Sequence, residues 1–356
     1  MSADTEGQLK AAVVGAGRMC RRHAAAMAES GEFILSAVCD ISEQAAREAA
    51  GELDAAPYTD LEEMLAAERP DVVTIATPGA THADLTERVA SAGVCGICCE
   101  KPMATSLGDG RRMVRACREN DVALIVNHQR RMGEDLTCMR RMIEEGAIGK
   151  LRLLRGSCAG DLLTDGTHLV NSLRHLAGDE EAEWVLGQVH RRKPDPSEPK
   201  STNTKKSGGY RYGYPVEDGA VAVVGLKSGL RIELFTGDAR LQDRPYQDYE
   251  AVGTTGRLWR EGDNGEPPLR ILDDYEAGWR PAPLGDAEPA AMTRSYLAFA
   301  RTLREGTPHP LAGESVLNGL EIITAIHESA RTNRCIELPV EQEAYPLALM
   351  LEARRL

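Results

Sequence analysis

The chain has 356 residues, 42% of them hydrophobic, and a formal net charge of -13. A chain of this length can bury a large core and is expected to form two domains. The negative charge argues against nucleic acid or an anionic membrane as a partner, because both are bound through an excess of Lys and Arg. The nine cysteines show no paired metal-ligand spacing, so we expect no metal site and a reducing compartment. Residues 1–8 are polar and lack an apolar signal segment, which predicts a cytoplasmic protein.

The start of the chain predicts a strand, a glycine turn and a helix. An apolar run over residues 9–14 is followed at once by Gly15-Ala16-Gly17-Arg18-Met19-Cys20. In a dinucleotide fold the first glycine allows the tight turn, and the second lets the backbone approach a pyrophosphate at the helix N-terminus. Cys20 stands where the strict pattern has a third glycine. The residues predicted to bind a nucleotide cofactor here are Gly15, Gly17, Arg18 and Met19.

An acidic residue supports this interpretation. A second strand over residues 34–39 ends in Asp40, at about the distance where a carboxylate takes the ribose hydroxyls. Asp40 is followed by Ile41 and Ser42 and has no adjacent arginine. A carboxylate in that place repels a 2′-phosphate, so the sequence favours NAD over NADP and leaves NADP open.

Alternating helices and strands continue to residue 127. Helices are predicted at about 42–51, 61–68, 82–92 and 107–120, and strands at 71–76, 94–99 and 122–127. This order predicts a doubly wound parallel sheet in a dinucleotide-binding Rossmann domain over residues 1–127. The loop Thr77-Pro78 to His82 follows the carboxyl end of a strand, where such sheets bind ligands. We therefore expect Thr77, Pro78 and His82 to border the cofactor, with His82 starting a helix rather than acting as a catalyst.

The chain is organised around Glu100-Lys101-Pro102. The run over residues 94–99 reads as a strand buried on both faces, and it stops at a Glu-Lys pair fixed by a proline. Lys101 would lie where a cofactor and a substrate can both be reached, and Pro102 would fix the backbone that aims it. A cis bond before Pro102 is compatible with the sequence. In the alternative interpretation, Glu100 and Lys101 merely cap a strand.

A different pattern begins after residue 127. Strand-like segments follow one another at 151–157, 184–190, 220–226, 230–235, 249–253, 257–259 and 269–272. Residues 227–229 and 254–256 look like hairpin turns, and two helices at 291–305 and 314–332 close the chain. We predict a substrate-binding and oligomerisation domain over residues 128–356, an α+β domain with an open-faced, mostly antiparallel sheet. An open sheet leaves an apolar face that needs cover, which indicates a homodimer or homotetramer.

One segment of the second domain carries a candidate proton-transfer pair. Asp165 and His168 share the first turn of a predicted helix, where they can approach each other. A histidine near a carboxylate is a credible acid or base at neutral pH. In the alternative interpretation, Asp165 is only a helix cap and His168 a surface residue.

The sequence resembles the Gfo/Idh/MocA oxidoreductases across almost its whole length. The shared motifs are Gly15-Ala16-Gly17, Thr77-Pro78 with His82, Glu100-Lys101-Pro102, Asn127-His128-Gln129-Arg130-Arg131, Glu145-Gly146-Ala147-Ile148-Gly149 and Asp165-Gly166-Thr167-His168. The resemblance implies a nicotinamide cofactor and a sugar, inositol or other polyol substrate. It also implies that Lys101 contacts the reacting hydroxyl, that His168 exchanges its proton, and that Glu100 and Arg130 lie beside cofactor and substrate respectively. Many relatives carry an aspartate four residues before that histidine, where this chain has Thr164.

The resemblance predicts a dehydrogenase that transfers hydride between a carbinol carbon and the nicotinamide. It leaves two alternatives open. Some family members are glycosidases that recycle the cofactor, and a few sense nucleotide without turnover. Retention of Lys101, Asp165 and His168 together argues against a sensor, which needs no proton acceptor.

A loop over residues 193–213 carries Lys193, Lys200, Lys205 and Lys206 in an otherwise acidic protein. It is interpreted either as a solvated surface loop or as a lid over the substrate. In the lid, Tyr210, Tyr212 and Tyr214 would offer flat faces to a sugar ring.

Overall fold

A computed structural model of the protein describes residues 7–191, 209–240, 246–262, 265–285 and 288–353. The chain forms two compact units. The first contains Met1–Ala104, Asp109–Met132 and Glu288–Leu317, and the second contains Thr105–Gly108, Gly133–Ala287 and Asn318–Leu356. Residues 193–208 of the lysine-rich loop lie outside the described residues, so the lid remains a prediction. Within the described ranges, no helix combines the length and apolar character needed to cross a bilayer.

The elements of the described residues are numbered in chain order. The strands are β1 Leu9–Val14, β2 Phe33–Cys39, β3 Ala56–Tyr58, β4 Val72–Ile75, β5 Gly96–Cys99, β6 Ala123–Val126, β7 Leu151–Cys158, β8 Ala182–His190, β9 Tyr210–Arg211, β10 Tyr214–Pro215, β11 Gly219–Leu226, β12 Arg231–Gly237, β13 Gln247–Gly253, β14 Arg257–Glu261, β15 Leu269–Leu272, β16 Arg280–Pro281 and β17 Ile336–Glu337. The α-helices are α1 Arg18–Ser30, α2 Glu43–Leu53, α3 Leu61–Glu68, α4 His82–Ala90, α5 Leu107–Glu119, α6 Glu134–Glu144, α7 Gly166–Leu176, α8 Ala291–Glu305, α9 Gly313–Thr332 and α10 Pro346–Glu352.

The first unit is built on a six-stranded parallel sheet in the order β3-β2-β1-β4-β5-β6. Every residue of β4 and β5 is buried, which explains why these strands read as continuous apolar runs. The predicted doubly wound Rossmann sheet is therefore confirmed. The sequence missed the edge strand β3, whose three residues include Pro57 and have no apolar alternation.

Helix ends of the first unit follow local sequence signals. Ser42 caps α2 by accepting a hydrogen bond from the Ala45 N–H, and Asp60 caps α3 in the same way from Glu63. Helix α1 ends at Gly31, which has the left-handed φ of 70° that glycine tolerates best. These caps explain why the helix bounds were close to the predicted ones.

Helix α8 belongs to the core of the first unit although it comes late in the chain. Its Tyr296 and Phe299 are fully buried against Phe33, with ring centroids 5.3 and 6.4 Å from that ring. A Cβ on Gly96 of β5 would lie 2.6 Å from the Phe299 ring, so only glycine allows this close approach. The sheet and α8 thus form one hydrophobic core.

The second unit is built on a nine-stranded sheet in the order β16-β15-β14-β13-β7-β12-β11-β8-β17. Strands β7 and β12 pair in parallel, and the other neighbours are antiparallel. The prediction of a mostly antiparallel sheet is confirmed, including the hairpins β11–β12 and β13–β14. The sequence missed the short pair β9–β10, which has too few residues for a periodic pattern.

The two faces of this sheet differ. On one face, a Cβ at Gly156 would lie 2.6 Å from Leu169 of α7, and one at Gly187 would lie 2.8 Å from Ile326 of α9. These helices therefore pack closely on the strands. Residues that point the other way include Leu186 and Val221, which are 49% and 38% exposed. The open-faced sheet predicted from the sequence is the one observed.

Candidate active site

The glycine turn between β1 and α1 has the geometry of an anion cradle. Gly15 has a φ of 100°, and a Cβ there would lie 2.7 Å from the Ala76 carbonyl oxygen, so the turn requires glycine. Gly17 occupies the N-cap of α1, where no side chain caps the helix and a Cβ would meet nothing within 4 Å. A helix N-terminus without a side-chain cap is suited to a bound pyrophosphate. Arg18 is exposed and Met19 half-buried in that first turn.

Asp40 is tied to this turn by its carboxylate. Oδ2 accepts a hydrogen bond from the Ala16 N–H at 2.8 Å, and Oδ1 accepts one from the Ser42 N–H at 2.9 Å. The residue therefore holds the glycine turn in place as well as standing at the end of β2. Each carboxylate oxygen has two acceptor sites, so these bonds leave capacity for ribose hydroxyls.

His82 is buried between the loop that follows β4 and the turn that follows β5. It is the first residue of α4 and is 0% exposed. Its Nδ1 lies 2.9 Å from the Pro102 carbonyl oxygen and its Nε2 lies 2.9 Å from that of Thr77. Burial lowers the pKa of His82, while the neighbouring carbonyls act in the opposite direction. A neutral imidazole has one N–H and donates to only one of these carbonyls, and contact of His82, Thr77 or Pro78 with a cofactor stays a prediction.

Glu100 lies at the centre of a buried hydrogen-bond network, which we call the Glu100 cluster: Glu100, His23, Asn127 and Tyr296. Glu100 Oε1 is 2.9 Å from His23 Nε2 and accepts a bond from Asn127 Nδ2 at 2.6 Å. His23 Nδ1 lies 2.8 Å from the Tyr296 hydroxyl. Burial raises the pKa of Glu100, but His23, Asn127 and the charge of Lys101 outweigh it and bring that pKa to about 2. Glu100 is therefore a carboxylate at neutral pH.

Lys101 follows directly and is half-buried. Its backbone N–H donates to Glu100 Oε2 at 3.1 Å, and the Lys101–Pro102 peptide bond is cis. Burial, with the positive charge of Lys101 as the second cause, lowers the pKa of His128 to about 3. His128 is thus a neutral imidazole at neutral pH. Arg130, predicted to bind substrate, is half-buried in the 3-10 helix Gln129–Met132 after β6.

In the second unit, Asp165 and His168 stand at the start of α7. His168 is 5% exposed, so it is not a surface residue. Asp165 occupies the N-cap position, but its side chain makes no cap hydrogen bond. Instead, its carboxylate accepts bonds from Arg211 Nη1 at 2.6 Å and from the Tyr246 hydroxyl. The helix-cap alternative is therefore wrong for the Asp165 side chain, and its orientation of His168 stays a prediction.

Asp165 is part of a buried charged group that we call the Asp161 cluster: Asp161, Asp165, Arg211 and Glu217. Arg211 Nη1 lies 3.0 Å from Asp161 Oδ2, so one guanidinium nitrogen serves two carboxylates. Asp161 Oδ1 accepts the Thr164 N–H at 2.7 Å. Burial and the charge of Glu217 raise the pKa of Asp161 to about 6, although Arg211 acts against them.

Comparison with known proteins identifies the family. Residues 9–128 match the oxidoreductase family with an NAD-binding Rossmann fold, and residues 140–338 match the C-terminal alpha/beta domain of the same family, Gfo/Idh/MocA. The chain belongs to the Gfo/Idh/MocA oxidoreductase family. It is thus an enzyme of an NAD-binding oxidoreductase family, and the cradle formed by Gly15, Gly17 and Asp40 fits that cofactor.

Two relatives match nearly the whole Gfo/Idh/MocA chain. D-apiose dehydrogenase of Paraburkholderia graminis is 28% identical over 96% of this chain and 92% of its own, and myo-inositol 2-dehydrogenase of Thermotoga maritima is 26% identical over 93% and 98%. Among solved structures, the WlbA dehydrogenase of Bordetella pertussis in complex with NADH and UDP-GlcNAcA superposes with a TM-score of 0.74 at 24% identity, covering 94% of this chain and 100% of that one. That likeness supports the fold.

Thr164 stands where the resemblance leads us to expect an aspartate. Its Oγ1 lies 3.0 Å from the Tyr214 hydroxyl, so this position makes a neutral hydrogen bond here. The carboxylates nearby are Asp161 and Asp165, and both are paired with Arg211.

Sequence reasoning missed the residues that support the candidate site. They share a long separation in sequence from the groups that they contact: His23, Arg211, Glu217, Tyr246 and Tyr296. Arg211 lies beside the predicted loop tyrosines, but nothing local marks it as the partner of Asp161 and Asp165. A buried charge pair of this kind is visible only once the strands are in place.

Proposed function

We propose that the protein is an NAD-dependent dehydrogenase that interconverts a secondary hydroxyl and a ketone on a sugar, inositol or related polyol. The observation that carries the proposal is Lys101, held by the buried Glu100 at the carboxyl end of β5 in the NAD-binding sheet. The names of the two relatives that cover more than nine tenths of this chain, an apiose and an inositol dehydrogenase, support the substrate class.

The mechanism makes two demands on the protein. Oxidation of a carbinol removes the hydroxyl proton as hydride leaves the carbon, so a cation beside the oxygen and a base within reach are needed. In this proposal the Lys101 ammonium stabilises the oxygen and His168 accepts the proton. The nicotinamide, when bound, supplies the hydride chemistry. Gly15, Gly17 and the start of α1 hold the pyrophosphate, and Asp40 holds the ribose.

Other residues position these groups or contact the substrate. Asp165 lies one helical turn before His168, and its carboxylate is fixed by Arg211 and Tyr246. We propose that Asp165 and Arg130 contact substrate hydroxyls. Arg18, Met19, Thr77, Pro78, His82 and Glu100 are proposed to line or support the cofactor site.

The cofactor preference is proposed to be NAD rather than NADP. Asp40 would repel a 2′-phosphate, and the next arginine, Arg47, is paired with Glu43 at 2.6 Å within α2. We expect catalytic efficiency with NAD to exceed that with NADP by at least about tenfold, equivalent to about 1.4 kcal/mol. Equal efficiency with the two cofactors would contradict this preference.

A substrate panel tests the proposed function. Inositols, pentoses and hexoses, aminosugars and uronic acids are incubated with NAD, and absorbance at the reduced-nicotinamide band is followed. We expect net reduction of NAD with at least one neutral polyol or sugar. Product formation from glycosides without net absorbance change would indicate a cofactor-recycling glycosidase, and NAD binding without turnover of any compound would indicate a sensor.

We further propose a cytoplasmic homodimer or homotetramer that associates through the open face of the nine-stranded sheet. Leu186 and Val221 are exposed there, and charged pairs such as Arg155 with Glu233 cross the same face. All nine cysteines are free, which suits a reducing compartment. Light scattering of Leu186→Asp should show a smaller species than the parent. An unchanged mass would place the interface elsewhere.

A further inference from the structure

The turn Glu100-Lys101-Pro102 is held from both sides by buried histidines. On the Glu100 side, His23 is 0% exposed and uses both ring nitrogens, Nε2 toward Glu100 Oε1 at 2.9 Å and Nδ1 toward the Tyr296 hydroxyl at 2.8 Å. Tyr296 is itself fixed by Thr74 Oγ1 at 2.9 Å. The imidazole therefore has one orientation in which all its polar atoms are satisfied.

On the Pro102 side, His82 plays the corresponding part. Its Nδ1 lies 2.9 Å from the Pro102 carbonyl and 3.2 Å from the Met103 carbonyl, while Nε2 reaches the Thr77 carbonyl at 2.9 Å. A neutral imidazole donates to only one of these carbonyls, and through that bond and its packing His82 lies between the backbone just after Lys101 and the loop that follows β4. A Cβ on Gly79 would lie 3.1 Å from the Pro102 ring, so this side is also closely packed.

The Glu100 carboxylate also binds the main chain of the lysine that follows it. Oε1 is occupied by His23 and Asn127, and Oε2 accepts the backbone N–H of Lys101. The carboxylate therefore fixes where the Lys101 main chain lies. Because the lysine side chain has four rotatable carbons, its ammonium can be aimed reproducibly only if that main chain is rigid.

We propose that His23 and His82 are positioning residues for Lys101, clamping the backbone of its turn from opposite sides. This inference rests on the proposed function, in which Lys101 contacts the reacting hydroxyl. A displacement of about 1 Å at a reacting group can cost about 10²-fold in rate, which gives the clamp a measurable consequence.

The competing interpretation is that both histidines are ordinary core residues. The chain contains a matched control for that case, because His309 is also buried in the first unit. His309 Nε2 faces the Ser295 carbonyl at 3.0 Å, and Nδ1 accepts the Leu311 N–H at 2.9 Å. It uses both ring nitrogens but bonds to neither Glu100 nor Pro102.

The first measurement needs no substrate. Trace acetylation of Lys101 with acetic anhydride, quantified by peptide mass spectrometry, reports how the amine is presented. We expect His23→Leu and His82→Leu to change the Lys101 labelling rate by at least about threefold, and His309→Leu to leave it unchanged at a similar loss of melting temperature. His23→Gln, which keeps a donor toward Glu100, should recover most of the parent rate.

The second measurement is turnover of NAD with the polyol that the substrate panel identifies. We expect kcat to fall at least about tenfold in both Leu variants, and the dissociation constant of NAD to change less than about threefold in His23→Leu, which lies outside the proposed cofactor site. An unchanged Lys101 labelling rate in both Leu variants would overturn the clamp. A kcat within threefold of the parent in both Leu variants would also overturn the clamp, provided that Lys101→Met is inactive.

Two milder variants cover the case in which the Leu variants do not fold. Tyr296→Phe removes only the hydroxyl bound to His23, and His82→Gln keeps one donor of the ring. Parent-like labelling and kcat in Tyr296→Phe would likewise overturn the clamp, whereas His82→Gln, like His23→Gln, should keep most of the parent labelling rate. If instead Lys101→Met turns over at the parent rate, the proposed role of Lys101 fails, whereas an altered labelling rate would still establish the clamp on its backbone.

Discussion

Glu100 of the first unit and Asp161 of the second are both buried carboxyls, yet their pKa values move in opposite directions. The pKa of Glu100 falls to about 2, because His23 and Asn127 donate to it and Lys101 adds a positive charge, together outweighing burial. The pKa of Asp161 rises to about 6, because burial and the charge of Glu217 exceed the help from Arg211. Arg211 is shared with Asp165, so the two aspartates compete for one cation.

The difference shows that the number of hydrogen-bond donors and cations beside each carboxylate decides whether ionisation of a buried acid raises or lowers the stability of the fold. Relative to its ordinary value of 4.5, the low pKa of Glu100 stabilises the fold above that pH, and this contribution is lost as pH falls toward 2. Asp161 has the opposite effect on the pH dependence of stability. Its raised pKa means that the folded state holds a proton longer, so stability falls as pH rises from 3.8 through 6.

The largest expected effect comes from the residues that these clusters adjoin. Lys101→Met and His168→Ala should each lower kcat by about 10²–10⁴-fold, the usual contribution of a positioned acid, base or charge. NAD affinity, measured by calorimetry, should stay nearly constant because neither residue is in the glycine turn. Near-full turnover in either variant at neutral pH would remove that residue from the mechanism.

Removing the shared cation tests the Asp161 cluster directly. Arg211→Met leaves Asp161 and Asp165 buried without their cation, so we expect a loss of about 3–5 kcal/mol in the free energy of unfolding at pH 8. The loss should be smaller at pH 5, where Asp161 takes up a proton. Denaturant titrations at both pH values measure it. Arg118→Met is the control, since its pair with Glu314 is exposed and its loss should cost about 0–1 kcal/mol.

The opposite signs predicted for the two acids can be compared in one experiment. The parent should lose stability between pH 5 and pH 8 as Asp161 ionises, and Asp161→Asn should not. The change in the free energy of unfolding from pH 5 to pH 8 should therefore be more favourable in Asp161→Asn than in the parent, by about 1–3 kcal/mol. Glu100→Gln should lower it at both pH values, because it replaces an acid that is ionised throughout this range. If the effect of Asp161→Asn on the free energy of unfolding is the same at pH 5 and pH 8, or if that of Glu100→Gln changes between them as much as that of Asp161→Asn, the contrast between the clusters is wrong.

The smallest expected effect is at Asp165. Asp165→Asn keeps the shape of the side chain and an oxygen that can accept from Tyr246, and Arg211 retains Asp161. We expect kcat to fall by less than about tenfold, equivalent to about 1.4 kcal/mol. A loss as large as that of His168→Ala, measured under the same conditions, would show that the Asp165 charge itself takes part in proton transfer.

The parts of the fold and site that could be predicted are those that depend on residues close together in the sequence. Gly15, Gly17 and Asp40 follow successive strands, and the Glu100-Lys101-Pro102 turn ends a run of apolar residues, so local pattern was enough. Their spatial partners could not be predicted. His23 lies 77 residues before Glu100 and 273 before Tyr296, and Arg211 lies 46 residues after Asp165. Such pairings depend on tertiary packing, for which one sequence carries no local signal.

Helix α8 has a consequence for how the protein is made. The first unit takes Tyr296 and Phe299 from a segment that leaves the ribosome only after Gly133–Ala287 of the second unit has been synthesised. Until then, Phe33 and the cleft over Gly96 lack their cover and the first unit remains an incomplete nascent domain. A fragment ending at residue 132 should therefore bind a hydrophobic dye and aggregate. Fragment expression alongside the full chain would show whether translation has to reach α8 before the NAD-binding half becomes stable.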